Sequence, residues 1–368
     1  MAKSISALLV ILTTFLFGAC QSIEQISIDY MLPADISFPS ELRKVAIVDN
    51  TSSTPDNKLF EEKGIPKNRT NNLSWATAYS NGDSRLTTET LAKEIANQNY
   101  FDEVIICDSA LRANDRFTRE NTLSQEETKQ LTSELDVDAL ISLENIQLKA
   151  TKTLEGFQGF GYYRAAVDVK VYPTIKVYLP NRITPMVTLN DNDSIFWEEY
   201  GGNELEALSR ILPEKQMLKE ASEFAGTVPV KQLVPYWETN MRYFYTSGSI
   251  NMRDAAVYVR ERLWDKAFKL WNEDYKKKKS DKKKMRLSLN IALYYEINDS
   301  IAEAEKWALN AQELAYKVDK VEEKVKVREE IFDMPNYLIS SRYVLQLKER
   351  NDKLPKLNAQ MQRFSNDF

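Results

Sequence analysis

The chain has 368 residues, 43% of them hydrophobic, and 49 Lys and Arg against 54 Asp and Glu give a formal net charge of -5. That balance excludes a global pull toward nucleic acid, and the apolar content is enough for packed cores. There is no histidine, which excludes Ser-His-Asp and Cys-His catalysis and every His-ligated zinc site.

Met1-Ala2-Lys3 is a short basic start, an uncharged and mostly apolar run follows from Ala7 to Phe17, and small residues lead to Cys20. This is the layout of a secretory signal, and its apolar run is shorter than the roughly 20 residues of a membrane-spanning helix. Phe17-Gly18-Ala19-Cys20 resembles the lipobox of bacterial lipoproteins, with Phe17 where Leu is usual. The resemblance implies a signal peptide over residues 1–19 and a mature chain that starts at an acylated, palmitate-bearing Cys20. The alternative is an ordinary secreted chain in which Cys20 is incidental. With Cys20 acylated, Cys107 is the remaining thiol and makes no internal disulfide.

Residues 20–42 read as a lipid-anchored tether, with weak alternation at Ser27-Ile28-Asp29-Tyr30 and an extended piece between Pro33 and Pro39. An α/β domain is expected over residues 43–227. Val45-Ala46-Ile47-Val48 fits a buried strand, and Asn50 to Arg85 reads as a long polar loop in which Trp75 and Tyr79 anchor a short helix or make a contact. A helix follows, capped by Thr87 or Thr88, with Leu91, Ala92 and Ile95 on one face. Val104 to Cys107 is a second strand, where a buried structural thiol is favoured over a nucleophile. Ser124-x-x-Glu127 is a capping box that opens a helix carrying Leu131 and Leu135, and Ala139 to Leu143 is a third strand. Alternating strands and helices argue for an α/β layer. On the Val45 strand, the helix into Val104-Ile105-Ile106 and the Leu135-x-x-Asp138-Ala139-Leu140-Ile141 turn, this part resembles the small α/β domain of curli-secretion-channel lipoproteins and of lipoprotein activators of penicillin-binding proteins.

Ala165, Val167, Val169 and Val171 alternate with polar residues as a half-buried antiparallel strand, with Pro173 marking an edge or a bulge. Met186–Leu189 and Ile195–Trp197 read as a hairpin across residues 190–193. Helices are expected over Asn203–Leu212 and Glu214–Phe224, closed by Gly226, before a linker over residues 228–240. The fold class is therefore α+β: an N-terminal α/β layer domain with an antiparallel section, then an all-α region over residues 241–350 and a polar tail over residues 351–368.

Within the all-α region one self-similarity has an offset of 37 residues, which places Ala255 on Ala292, Tyr258 on Tyr295, Trp264 on Ile301 and Ala267 on Ala304. Trp271 and Ala311 complete the expected repeat core. Asp274, the counterpart of Ala311, breaks the pattern. Over Asn251 to Ala315 this resembles tetratricopeptide repeats, in which small residues let paired helices approach closely.

Four motifs compete with plainer readings. Gly156-Phe157-Gln158-Gly159-Phe160-Gly161 precedes a strand rather than a helix, so a hairpin tip is expected and nucleotide binding is not. Asp191-Asn192-Asp193 lacks the Gly and Glu of a calcium loop. Lys276, Lys277, Lys278, Lys279, Lys282, Lys283 and Lys284 could contact an anionic surface, or form a solvated inter-helix loop. Trp264, Trp271 and Trp307 are read as core, whereas a glycan platform would need an open face.

Taken whole, Phe17 to Cys20, Leu32 to Pro39, the Val45 strand, Pro235-Tyr236-Trp237 and the repeat around Ala267 resemble a family of Bacteroidota outer-membrane lipoproteins with a C-terminal tetratricopeptide-like region. The resemblance implies location and architecture and carries no activity. The expected function is a protein-binding scaffold or assembly factor of the cell envelope, held by its lipid at the periplasmic face of the outer membrane. No enzymatic activity, cofactor, metal or nucleic-acid partner is expected; an envelope protein is. A glycan-binding lipoprotein of nutrient uptake is the alternative, and a carboxylate-based glycosidase the third reading.

Overall fold

The computed structural model describes residues 23–52, 62–64, 72–107, 109–113, 122–157, 159–277, 279–328 and 330–364. The signal segment and Cys20 lie outside the described residues. The fold is mixed α+β, and the chain divides into a sheet unit, residues 33–236 and 360–368, and a helical unit, residues 1–32 and 237–359. Strand β1 (Ile23–Leu32) is counted with the helical unit.

In the sheet unit, β2 (Lys44–Asp49) lies between β5 (Glu103–Ile106) and β6 (Ala139–Phe157) and runs parallel to both, with Val45 opposite Val104 and Ala139. Val45 and Ile47 pack with Leu91 and Ile95 of α1 (Ser84–Asn97), while Ala46 and Val48 pack with Leu131 of α2 (Gln125–Glu134). A strand covered on both faces has no polar positions, which is why Val45 to Val48 is an unbroken apolar run. The Ser124–Glu127 capping box opens α2. Helix α1 starts earlier than expected: Asp83 is its N-cap and accepts from the Leu86 amide, and Thr87 and Thr88 are buried inside the helix.

Part of the segment expected as a long loop is strand. β3 (Glu62–Gly64) pairs with β4 (Asn72–Asn81), and β4 runs antiparallel to β6 along its whole length. β4 has a polar sequence, and its conformation comes from the nineteen-residue β6 beside it. β6 and β7 (Tyr162–Tyr178) form a long antiparallel hairpin, turned by Gly161 at φ 68° with exposed Phe160 at the tip. β8 (Val187–Asn190) and β9 (Asp193–Gly201) do not pair with each other as a hairpin. Both run antiparallel to β7, with Asn190 opposite Thr174 and Asp193 opposite Val171. Asp191 and Asn192 therefore stand across from Tyr172 and Pro173, where proline has no amide proton to continue the ladder.

After β9 come α3 (Glu204–Arg210), α4 (Glu214–Thr227) and α5 (Val230–Leu233). Gly226 lies within α4 rather than ending it, because α4 crosses α1 closely: a Cβ there would stand 2.5 Å from the Thr87 carbonyl oxygen. The segment expected as a linker is partly core, with Val230, Leu233 and Val234 buried. The polar tail is also anchored. Gln360 donates to the Ala34 and Ile36 carbonyls and accepts from the Ala34 amide, and Arg363 donates to the carbonyls of Pro39, Leu42 and Tyr100.

In the helical unit, β1 and β10 (Tyr236–Tyr245) form a two-stranded sheet. What reads as a tether from sequence is thus a strand whose partner lies some 210 residues away, tied by Thr239 to Asp29 at 2.6 Å and Asn240 to the Tyr30 hydroxyl at 2.7 Å. Four helices follow, α6 (Ile250–Arg260), α7 (Trp264–Lys277), α8 (Asp281–Ile297) and α9 (Ile301–Val318). The offset of 37 is visible in the elements themselves, since it carries the end of α6 to the end of α8 and the start of α7 to the start of α9. Arg262 and Asp299, also 37 apart, both turn the chain with positive φ, 58° and 54°. Short α10 (Val321–Lys326) and long α11 (Pro335–Met361) complete the chain, and α11 passes through Pro355 without ending.

Ala255, Ala267, Trp271, Ala292, Ile301, Ala304 and Ala311 are buried. Tyr258, Trp264 and Tyr295 are half-buried instead of core: the Tyr258 ring faces the Lys266 ammonium, Tyr295 meets Phe268 edge-on, and Trp264 borders a cleft. The odd position Asp274 is buried too, and accepts from Ser249 and Asn251 at the start of α6.

Candidate binding cleft

Glu296 lies in the last turn of α8, on the same face as buried Ala292 four residues before it, and its side chain is wholly buried. A carboxylate at a helix C-terminus opposes the helix dipole, so it needs cations. Arg242 of β10 supplies a two-pronged pair, Nε to Oε2 at 2.9 Å and an Nη to Oε1 at 2.8 Å. The Tyr343 hydroxyl donates to Oε2 at 2.7 Å, and Arg350 of α11 donates to Oε1 at 3.3 Å. Burial raises the Tyr343 hydroxyl well above its ordinary value, with the Glu296 charge adding to it. Burial pulls Arg242 down, but its hydrogen bonds and charge attraction to Glu296 outweigh this and leave it raised. Arg350 also reaches Asp299 at 2.6 Å and lies 4.5 Å from the Tyr30 ring centroid.

Above this network opens a cavity of about 640 Å³. β1 borders it along Ile26 to Met31, the two equivalent inter-helix turns border it through Arg262 and Trp264 and through Ile297 and Asp299, and α11 closes it with Arg350, Leu354, Leu357 and Asn358. Trp237 stands at its margin, 62% exposed. Equivalent repeat positions thus present opposite charges, Arg262 and Asp299, to one cleft. Four hydrogen bonds from Arg242, Arg350 and Tyr343 engage both oxygens of the Glu296 carboxylate. Among the described residues no group of three or more His, Cys, Asp or Glu could hold a metal ion.

A family model described as Domain of unknown function (DUF8603) matches residues 42–245, more than half of the chain. The chain belongs to the DUF8603 family. A second model, Domain of unknown function (DUF6340), matches residues 253–349, which hold Arg262, Trp264, Glu296 and Asp299. β1, Arg350 and the end of α11 lie outside both matches. No curated protein and no solved structure matches the chain.

The sheet unit of this DUF8603 chain carries a second polar cluster, at the carboxyl end of β2 and the bulge in β6 that follows their parallel pairing. In open α/β sheets the crevice outside the carboxyl ends of the strands is the usual place for a ligand. Here it is filled. A bulge at Leu143/Asn145 turns Glu144 inward, where it accepts from Tyr178 at 2.9 Å and Asn50 at 2.8 Å. Asn50 accepts in turn from Arg112, which pairs with Glu127 at 3.0 Å. Burial raises Glu144 by more than its hydrogen bonds lower it, and burial with the Glu144 charge pushes Tyr178 up. Cys107, half-buried beside this cluster, points its thiol at the Ser109 carbonyl.

The lysine run is helical at both ends. Lys276 and Lys277 end α7, Lys282, Lys283 and Lys284 open α8, and Lys279 lies between; Lys278 is outside the described residues. The run sits at the opposite ends of these helices from the cleft, about 20 Å along α7. Trp271 is buried and Trp307 stacks edge-on with Tyr275, so of the three tryptophans only Trp264 reaches the cleft. Arg242, Glu296 and Arg350 carry no mark in the sequence, and Trp237 stands out there only within Pro235-Tyr236-Trp237. The available signal was Glu296 falling on the apolar face of α8, where the first repeat has Val259.

Proposed function

We propose that this DUF8603 chain is a membrane-anchored lipoprotein that acts as a protein-binding scaffold in the bacterial cell envelope. The observation that carries this reading is the cleft at the turn ends of two helical hairpins, held open on a buried ion network and lined by apolar, aromatic and charged side chains. The 37-residue offset with buried alanines supports a tetratricopeptide-like reading of the hairpins. The signal-like start ending at Cys20 supports lipid anchoring, and Gln21-Ser22-Ile23-Glu24, without the paired acids that resemble a surface-export signal, favours the periplasmic face of the outer membrane. Among the described residues no helix is long and apolar enough to cross a membrane. The test is crosslinking capture of the native chain from membranes, with Cys20→Ala as the mislocalised control. A stoichiometric envelope protein lost in Cys20→Ala and in Leu357→Arg supports the scaffold; capture unchanged by both rejects it.

Glycan binding is the second reading, favoured by one observation: Trp237 and Trp264 border the same polar cleft. An oligosaccharide array read against Trp237→Ala tests it, and equal binding by both proteins discards it.

A further inference from the structure

The geometry points to the outer edge of β1 as a strand-addition site: an extended peptide, apolar and basic in alternation, lies in the cleft as the third strand of the β1–β10 sheet. This inference rests on the scaffold reading and names the chemistry of its partner.

Among the described residues β1 pairs with β10 alone, so one of its edges has no strand beside it. Every residue from Ile26 to Met31 borders the cavity, odd and even positions alike. Side chains of a strand alternate between two faces, so six successive residues share a cavity only when the backbone edge is turned toward it. Proteins guard such edges with prolines, bulges and lysines, because a row of unpaired amides and carbonyls recruits other chains. β1 has no proline and no lysine. Its protection is the concavity itself. Residues of α11, Arg350, Leu354, Leu357 and Asn358, line the same cavity of about 640 Å³ as this edge.

Backbone complementarity asks for a polypeptide, and the cleft states its side chains. Six residues of edge span about 20 Å, the length of an ordinary strand. On one face of β1, Ile26 and Ile28 meet a cavity whose far wall is Leu354 and Leu357, so alternate residues of the guest are apolar. On the other face Asp29 is exposed, its Oδ1 accepting from Thr239 of β10 at 2.6 Å while the side chain keeps its charge, and an opposite charge directly across a strand pair is favourable. The guest therefore places lysine or arginine there.

The test uses the full chain and a labelled peptide of about eight residues, valine alternating with lysine. The controls are a peptide of the same composition with its valines grouped, and maltoheptaose. The alternating peptide is expected to bind and to slow amide exchange at every second residue of Ile26 to Met31, the amides that point outward. Leu357→Arg is expected to weaken it at least about tenfold. Asp29→Lys is expected to switch the preference to valine alternating with glutamate, a gain that misfolding cannot imitate. Binding no better than the grouped control, binding without the alternate-amide pattern, or the same protection from maltoheptaose overturns the inference. Membrane capture that depends on Leu357 without amide protection keeps the scaffold and rejects strand addition. Peptide binding with no captured partner does the reverse.

Discussion

Arg242 and Glu296, 54 residues apart, form a two-pronged ion pair whose side chains are only 3% and 0% exposed. Two charges removed from water at such depth hold their place only because each is saturated, Glu296 by a second arginine and a tyrosine as well. The pair joins β10 to α8 beneath the cleft, so the cleft depends on it.

Removing Arg242 takes the two-pronged partner from Glu296 and leaves it the longer contact to Arg350 at 3.3 Å and the Tyr343 hydroxyl. Arg242→Ala is expected to cost about 3–5 kcal/mol, read as a lowered midpoint in denaturant unfolding of the helical unit's aromatic signal. Glu296→Gln, which keeps the shape but leaves Arg242 without its counter-charge while Arg350 keeps Asp299, is expected to cost a comparable amount. A variant as stable as the parent would show that the network is not what supports the cleft.

Glu144 makes stability depend on pH with a definite sign. Its folded value is raised by burial, so the folded chain holds the proton more tightly than the unfolded one. Its contribution is therefore fully present below the usual carboxylate range and is lost as pH rises through the raised value. Melting temperature of the parent minus that of Glu144→Gln is expected to increase as pH falls from about 8 to about 4. A flat difference would contradict the assignment.

Gly226→Ala places a methyl group 2.5 Å from the Thr87 carbonyl oxygen, which is backbone and cannot swing away. α4 and α1 must move apart, at an expected cost of about 1–3 kcal/mol. Gly159, with open space around it, is the matched control, and Gly159→Ala is expected to be near neutral in the same melt.

The last residues are expected to stabilise the sheet unit. Arg363→Ala removes the donor to the Pro39, Leu42 and Tyr100 carbonyls and the cation that lies 4.2 Å from the Tyr100 ring. Leaving buried carbonyls unpaired costs about 1–3 kcal/mol each where water cannot reach them. Hydrogen exchange at Tyr100 and Leu42 is expected to accelerate in Arg363→Ala; unchanged exchange would mean that the segment only rests on the unit.

Local chemistry was legible wherever a short stretch of chain meets its own partners. The Val45 strand, the Ser124–Glu127 box and the 37-residue offset are properties of neighbouring residues, and each has its structural counterpart at its place. Where a partner is remote the reading failed. β1 resembled a tether because β10 is over two hundred residues downstream. β4 resembled a loop because the strand that holds it is β6. The end of the chain resembled a loose tail because Gln360 and Arg363 answer to Ala34, Ile36, Pro39 and Leu42.

By itself, the sequence determined which stretches are apolar on both faces or on one, the 37-residue offset of the helical region, and that no imidazole chemistry is available. Only the tertiary structure decided that a glutamate on an apolar helix face meets two arginines, that Trp264 leaves the core for a cleft, and that β1 keeps an open edge. The reason is physical. Periodicity records whether a residue is buried, whereas the pairing of charges and of strand edges depends on which distant segment buries it.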